Sequence, residues 1–299
     1  MGEKGYGTFA SNKTFRYSLV NSGYGVREIS LKQPVADDIN IIVLADMRSY
    51  LTEEEERNFN AYLERGGNLF ILGEPKRQQF MNPVLEKLGL RFADGIIVSP
   101  SEINLDDLIA ANIKEGAAKV SENYIRYFQL GYSIITPSVC AVEVIDSTKG
   151  FEITEVLASA DKGSWIEKET TDFINEKSVL NPVIGEVEKS NSIMLYLTRF
   201  INNKEQRIFV IGDADCISTL ELSQNRAEFR SSNFTLITET FRNLSYEESP
   251  VKANRVSPPD KQVLVSQDSV TIMRVIMMWT IPLLLVMGCV ILLFKRKRK

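Results

Sequence analysis

Three stretches decide the fold class: Asn40-Ile41-Ile42-Val43-Leu44-Ala45, Thr52-Glu53-Glu54-Glu55 and Asn68-Leu69-Phe70-Ile71-Leu72. The first and third are short, continuous apolar runs of the kind that parallel sheets bury on both faces. Between them, Thr52 and Glu55 have capping-box spacing at the head of a helix that runs to Arg65. Glu53, Glu54, Glu55 and Glu56 also sit where the helix dipole favours negative charge, so capping explains this acidic cluster better than chemistry does. Gly66-Gly67 supplies the left-handed stop. Strand, helix and strand at this spacing predict a βαβ unit.

Outward from this unit, residues 11–21 read as a helix stopped by Gly23, and residues 26–31 as a short strand with Ile29 and Leu31 on one face. A helix over 82–88 closes at Gly89, and 96–98 adds a strand. Strand character returns at 132–135, 141–145, 152–157, 192–199 and 207–211, before a last helix at 234–244. The pattern predicts an α/β domain over residues 1–250, with a mainly parallel sheet flanked by helices. Residues 251–271, with Pro258-Pro259, read as a linker.

Residues 275–294 carry no charge, and as a helix they span about 30 Å, the thickness of a bilayer's hydrocarbon core. A basic block, Lys295-Arg296-Lys297-Arg298-Lys299, follows directly. The reading is a transmembrane helix over 272–294 with a basic tail over 295–299. The positive-inside tendency keeps that tail cytoplasmic and the preceding domain outside. Residues 1–20 are polar and contain no signal-peptide core. Two arrangements stay open: a targeting segment lies upstream, or the domain is cytoplasmic and tail-anchored.

Composition excludes several functions. Without the basic tail the chain has 30 basic and 39 acidic residues, a net of −9, which disfavours nucleic acid as a partner. No histidine is present, so histidine-based catalytic triads and histidine metal sites are ruled out. Cys140, Cys216 and Cys289 lie too far apart for a zinc site, and buried free thiols are the favoured reading of the first two.

In doubly wound sheets, ligands bind beyond the carboxyl ends of the strands. Asp46-Met47-Arg48-Ser49, Gly73-Glu74-Pro75 and Gly212-Asp213-Ala214-Asp215 fall at such ends, and Gly2-Glu3-Lys4-Gly5 joins them if a strand precedes it. They would line one crevice with Glu3, Asp46, Arg48, Glu74, Asp213 and Asp215. Turn formation and helix capping account for the same residues. A carboxylate-bound magnesium or calcium at Asp213 and Asp215 is the less favoured reading. Cys216 occupies a nucleophile-like position but has no histidine to act as its base.

The stretch from Asp37 through Leu72 resembles the GldG-like auxiliary proteins of ABC transporters, first linked to bacterial gliding motility. Asn82-Pro83-Val84-Leu85-Glu86-Lys87-Leu88-Gly89-Leu90, Asp94-Gly95-Ile96-Ile97-Val98, Val156-Leu157-Ala158-Ser159-Ala160 with Ser164-Trp165, and residues 207–218 are similar to later family segments. In the last of these, Cys216 stands where an aromatic is usual. The resemblance implies a flavodoxin-like fold related to class I glutamine amidotransferases, without their catalytic machinery. It also implies a periplasmic domain at the bacterial inner membrane, partnered with a transporter permease and its ATPase. The family's first strand and Gly-His-Gly-Glu-like turn are reduced here to Gly2-Glu3 after Met1, so the sequence looks clipped at its start.

The function expected on these grounds is a non-catalytic, cofactor-free auxiliary subunit, held to lipid by its C-terminal helix and powered by the partner ATPase. The chain itself has no Gly-x-x-x-x-Gly-Lys-Ser/Thr loop. The alternatives are a carboxylate-dependent hydrolase or transferase on an amidotransferase-like fold, and a tail-anchored scaffold.

Overall fold

In the computed structural model, which describes residues 5–15, 18–226, 228–249 and 267–297, the chain opens with one helical turn, α1 (Gly7–Ala10). The two apolar runs then become neighbours. β1 (Ile41–Ala45) lies parallel to β2 (Asn68–Leu72), with α2 (Glu53–Glu64) between them. The capping box is present: the Thr52 hydroxyl accepts from Glu55 N–H while the Glu55 carboxylate accepts from Thr52 N–H. Gly66, at φ +86°, takes the left-handed turn after the helix.

The strands that follow are β3 (Leu90–Phe92), β4 (Ile96–Val98), β5 (Leu108–Ile113), β6 (Tyr132–Pro137), β7 (Val142–Val144), β8 (Glu152–Ala158), β9 (Trp165–Glu167), β10 (Ser192–Ile201), β11 (Lys204–Ile211) and β12 (Arg230–Ser231). The helices are α3 (Gln78–Leu85), α4 (Glu122–Gln129), α5 (Thr219–Ser223) and α6 (Asn233–Leu244). Eight strands form one sheet in the order β1-β2-β11-β10-β8-β5-β6-β12, while β3 with β7 and β4 with β9 form separate two-stranded ribbons.

The sheet is mixed. β1, β2 and β11 are parallel neighbours, as is the β6–β12 pair, whereas β11–β10, β10–β8, β8–β5 and β5–β6 are antiparallel. The expectation of a mainly parallel sheet therefore holds from β1 to β11 and gives way beyond. One cause is local. β10 and β11 are joined by Asn202-Asn203, both at positive φ (51° and 58°), the geometry of a two-residue hairpin turn that forces adjacent strands antiparallel.

Two further expectations fail near the start. Residues 11–21 do not form one helix. Asn12 Oδ1 accepts from the N–H and hydroxyl of Thr14, and the Asn21 side chain donates to the carbonyls of Lys13 and Phe15. Such side-chain bonds compete with helical ones. Residues 26–31 pair with no described strand, and Val26 and Ile29 are exposed.

Helices cover both faces of the sheet. Every residue of β2 is buried, and alternation sends Leu69 and Ile71 to one side and Phe70 and Leu72 to the other. The first side packs with Ile208, Val210, Leu195 and Leu197 of neighbouring strands against Phe59, Tyr62 and Leu63 of α2 and Met81 and Leu85 of α3. On the second, Phe209, Ile211 and Tyr196 meet Tyr124 of α4 and Leu236 and Phe241 of α6. Each such large side chain contributes about 1.5–3 kcal/mol by leaving water, and this double burial holds the carboxyl ends of β1, β2 and β11 in place.

Residues Met1–Lys252 and Ala253–Lys299 are two separate units. In the second, most of the expected linker lies outside the described residues, and Gln267 already begins a helix. α7 (Gln267–Val275), a π-helical turn (Ile276–Thr280) and α8 (Ile281–Lys297) follow one another. Ile281 N–H reaches back to Ile276 O. Pro282, one residue on, has no N–H and its ring excludes the carbonyl four residues earlier, so the helix widens there. Ile272–Lys297 is a helix of 26 residues, long and apolar enough to cross a membrane.

Candidate functional site

The turns after β1, β2 and β11 stand side by side because the strands are parallel and in register. Asp46 N–H donates to Leu72 O (3.2 Å) and Gly73 N–H to Ile211 O (2.8 Å). Beyond β11 the backbone is pressed against the chain leaving β6. Gly212 O accepts from Cys140 N–H at 3.0 Å, and a Cβ on Gly212 would fall 1.8 Å from Cys140 O. Glycine is the residue that allows this approach.

This packing sets the acidic side chains. Asp213 is fully buried, and its Oδ1 accepts from Asp215 N–H at 2.6 Å; the N-cap of the short turn Asp215–Ile217 is Ala214 and that of α5 is Ser218, so neither Asp213 nor Asp215 takes the N-cap position that the sequence suggested. Carboxylate oxygens of Glu74, Asp213 and Asp215 all lie within 4.8 Å of one another. Asp46 takes a left-handed conformation (φ 45°) as β1 ends, with its side chain 8% exposed. Arg48 clasps Asp46 Oδ2 through Nε (3.2 Å) and Nη2 (3.0 Å), and Arg77 Nε stands 3.7 Å from Oδ1. Five of the six expected residues therefore line one end of the sheet, and Glu3 lies outside the described residues.

Two contributors were not singled out in the sequence. Tyr6 brings its hydroxyl to the same place. Burial, and then the charges of Asp215, Asp46, Glu74 and Asp213, push its phenol far above the ordinary tyrosine value. It therefore keeps its proton and its capacity to donate. The Tyr6 hydroxyl is enclosed and has no hydrogen-bond partner among the described residues. Arg77 was legible in principle, three residues past Glu74 in the same turn. Tyr6 was not, because its place depends on the chain from Gly5 meeting α5, where Gly5 O accepts from Thr219 N–H.

Neither nearby cysteine presents a reactive thiol. Cys216 is buried and its Sγ donates to Asp213 O at 3.2 Å; burial, then Asp213 and Asp215, push its thiol well up. Cys140 is likewise buried and raised, first by burial and then by Glu74 and Asp213. Both are free, as the favoured reading had it. The site thus gathers acceptor oxygens, two guanidinium groups and one protonated phenol, a set suited to holding a polar ligand in a fixed orientation.

Comparison with known proteins gives limited structural likeness. The mmIFT52 N-terminal domain superposes with a TM-score of 0.47 at 14% identity, covering 69% of this chain and 77% of that one. A ThuA-like protein from Bacteroides uniformis ATCC 8492 gives 0.45 at 14% identity, covering 81% and 86%. No curated protein matches the chain. The family comparison identifies the chain: residues 4–245 match a family of ABC transporter auxiliary proteins described as "ABC-type uncharacterized transport system". That span takes in the whole sheet and all three acidic turns, and the chain belongs to this family.

Proposed function

We propose that this protein is a non-catalytic auxiliary subunit of an ABC transporter, of the GldG-like, gliding-motility-associated type. It is anchored in the bacterial inner membrane by helix 272–294, with the α/β unit on the periplasmic side and the basic tail in the cytoplasm. The family match over residues 4–245 carries the reading. Support comes from the 26-residue apolar helix and its basic end. The parallel β1-β2-β11 part, with its crevice at the carboxyl ends, supports kinship with flavodoxin-like, amidotransferase-type domains. The enclosed, protonated thiols at that crevice favour binding over thiol chemistry. In this reading Asp46, Arg48, Glu74, Asp213 and Asp215, with Tyr6 and Arg77, recognise a substrate or partner segment, while a permease and an ATPase supply the path and the energy.

Affinity purification from detergent-solubilised native membranes, with a tag inserted within residues 254–267, tests this directly. A permease and an ATPase should come with the protein in stoichiometric amounts; recovery of the protein alone under gentle conditions would refute the assignment. Deleting residues 275–299 should release the α/β unit from membranes. The convergence of Glu74, Asp213 and Asp215 favours one second reading, a carboxylate-dependent hydrolase or transferase. That reading requires Asp213→Asn or Glu74→Gln to abolish an activity while the domain stays folded.

A further inference from the structure

Residues 168–188 follow β9 as irregular chain with one short helical turn, Pro182–Ile184, and residues 101–106 belong to the loop between β4 and β5. Such segments leave backbone donors without strand or helix partners, and three buried carboxylates accept from them. Asp106 accepts from the N–H groups of Ser101 (3.3 Å) and Ser178 (2.9 Å). Glu167 accepts from those of Glu169 and Thr170 (both 3.0 Å), and Glu186 from those of Lys168 (2.9 Å) and Asn181 (2.8 Å). Phe173 packs with Trp165, Ile96 and Val98 in a small core of its own. The bonds from Ser178 N–H to Asp106, and from Lys177 Nζ to Ser101 O and Asp106, tie the two segments into one frame.

This frame holds large aliphatic side chains in water. Val183 is 94% exposed, Ile174 79%, and Ile103 and Val179 74%; Leu105 and Val187 are exposed as well. Single exposed aliphatics are ordinary, whereas six on one organised body mark a surface that another molecule covers. Order imposed in advance lowers the entropy cost of covering it. The surrounding charge selects what does so. Residues 101–106 and 168–188 hold seven acidic and two basic residues. Both lysines are engaged, Lys168 with the carbonyls of Ile184 and Gly185, and Lys177 with Ser101 and Asp106. Glu102, Glu169, Asp172, Glu176 and Glu188 face solvent. Like charge works against a second copy and against anionic lipid, and none of the six aliphatics is the Trp or Tyr of a membrane interface. A protein surface with an apolar hollow and a rim of lysine and arginine complements both features.

We propose that residues 101–106 and 168–188 form a docking surface for a partner protein, which takes Val183 and Ile174 into an apolar hollow and sets basic side chains against Glu102 and Glu176. These loops are distinct from the acidic turns of the crevice, and the proposal holds whatever the crevice binds.

The test is thiol labelling of Val183→Cys, Ile174→Cys and, as a control on α2, Glu54→Cys in opened native membranes, with the unsubstituted chain giving the background from Cys289. The same variants are purified and returned to vesicles of extracted native lipid. Positions 183 and 174 should label at least ten-fold more slowly in native membranes than in the vesicles, and position 54 at nearly the same rate in both. Adding Glu102→Lys and Glu176→Lys to Val183→Cys should restore fast labelling in native membranes. Equal rates at position 183 in the two settings overturn the proposal, because nothing then covers the surface. Slow labelling in the vesicles also overturns it, in favour of lipid if it persists when the protein is diluted and of a second copy if dilution relieves it. A matching slowdown at position 54 shows general crowding instead of a defined surface. Slow labelling that survives both charge reversals refutes the basic rim and with it the partner proposed.

Discussion

Gly212→Ala tests the arrangement that places Asp213. The added Cβ would lie 1.8 Å from Cys140 O, 2.8 Å from Cys140 C and 3.1 Å from Val139 Cγ2. The worst of these contacts is with backbone, so one strand end must retreat by about 1.2 Å to reach the shortest distance real Cβ atoms tolerate. Overpacking of this kind costs about 1–3 kcal/mol. Straining or losing the bond from Cys140 N–H to the buried Gly212 O adds about 1–2 kcal/mol. The expected destabilisation is about 3–4 kcal/mol, a large share of a net stability of about 5–15 kcal/mol. Gly73→Ala places its Cβ 2.6 Å from the Phe92 ring; a side chain can shift, so about 1–2 kcal/mol is expected there. Gly7→Ala, with nothing within 4 Å, should change stability by less than about 1 kcal/mol. Urea denaturation of the 299-residue chain in micelles, followed by near-ultraviolet circular dichroism, measures all three. A Gly212→Ala cost below 1 kcal/mol, or below that of Gly73→Ala, would refute the close-approach argument.

Thr52→Ala should cost about 1 kcal/mol through loss of the helix cap, measured by the same denaturation. The hydrogen bonds from Thr52 hold the Glu55 carboxyl below its ordinary range; this stabilisation is present above the unfolded value and is lost as pH falls through the lowered one, so the mutant's deficit should shrink in acid. Burial raises the phenols of Tyr62 and Tyr124, and that of Tyr196 to about 12. Their contribution is fully present below the unfolded value near about 10 and is lost as pH rises from there toward the raised values, so these tyrosines should leave denaturation midpoints level from neutral pH to about 10 and lower them above that. Tyr6→Phe removes a hydroxyl with no described hydrogen-bond partner and should change stability by less than about 0.5 kcal/mol while weakening partner recovery; a stability loss above about 1.5 kcal/mol would contradict the site description. Pro282→Ala restores an N–H donor and should convert the turn Ile276–Thr280 to regular α-helix, read by amide hydrogen-bond couplings in micelles.

The sequence by itself determined β1, α2 and β2 almost to the residue, because apolar runs, a capping box and a glycine stop act within a few residues of one another. The membrane-length helix and the acidic turns at the strand ends were legible for the same reason. Tertiary structure decided what depends on distant partners. β5 escaped the sequence reading because its buried positions, Ile109, Ala111 and Ile113, alternate with Leu108, Ala110 and Asn112, of which only the last is polar, so the period is faint. The antiparallel half of the sheet was signalled only by Asn202-Asn203, and residues 11–21 lost their helix to local bonds from asparagine side chains. Asp213 is buried, and Tyr6 reaches the crevice, only because β11, the chain after β6, and α5 meet from positions far apart in the sequence. Periodicity and caps are local forces and can be read along a chain. Strand direction, edge exposure and the company a carboxylate keeps are set by segments that touch only after folding.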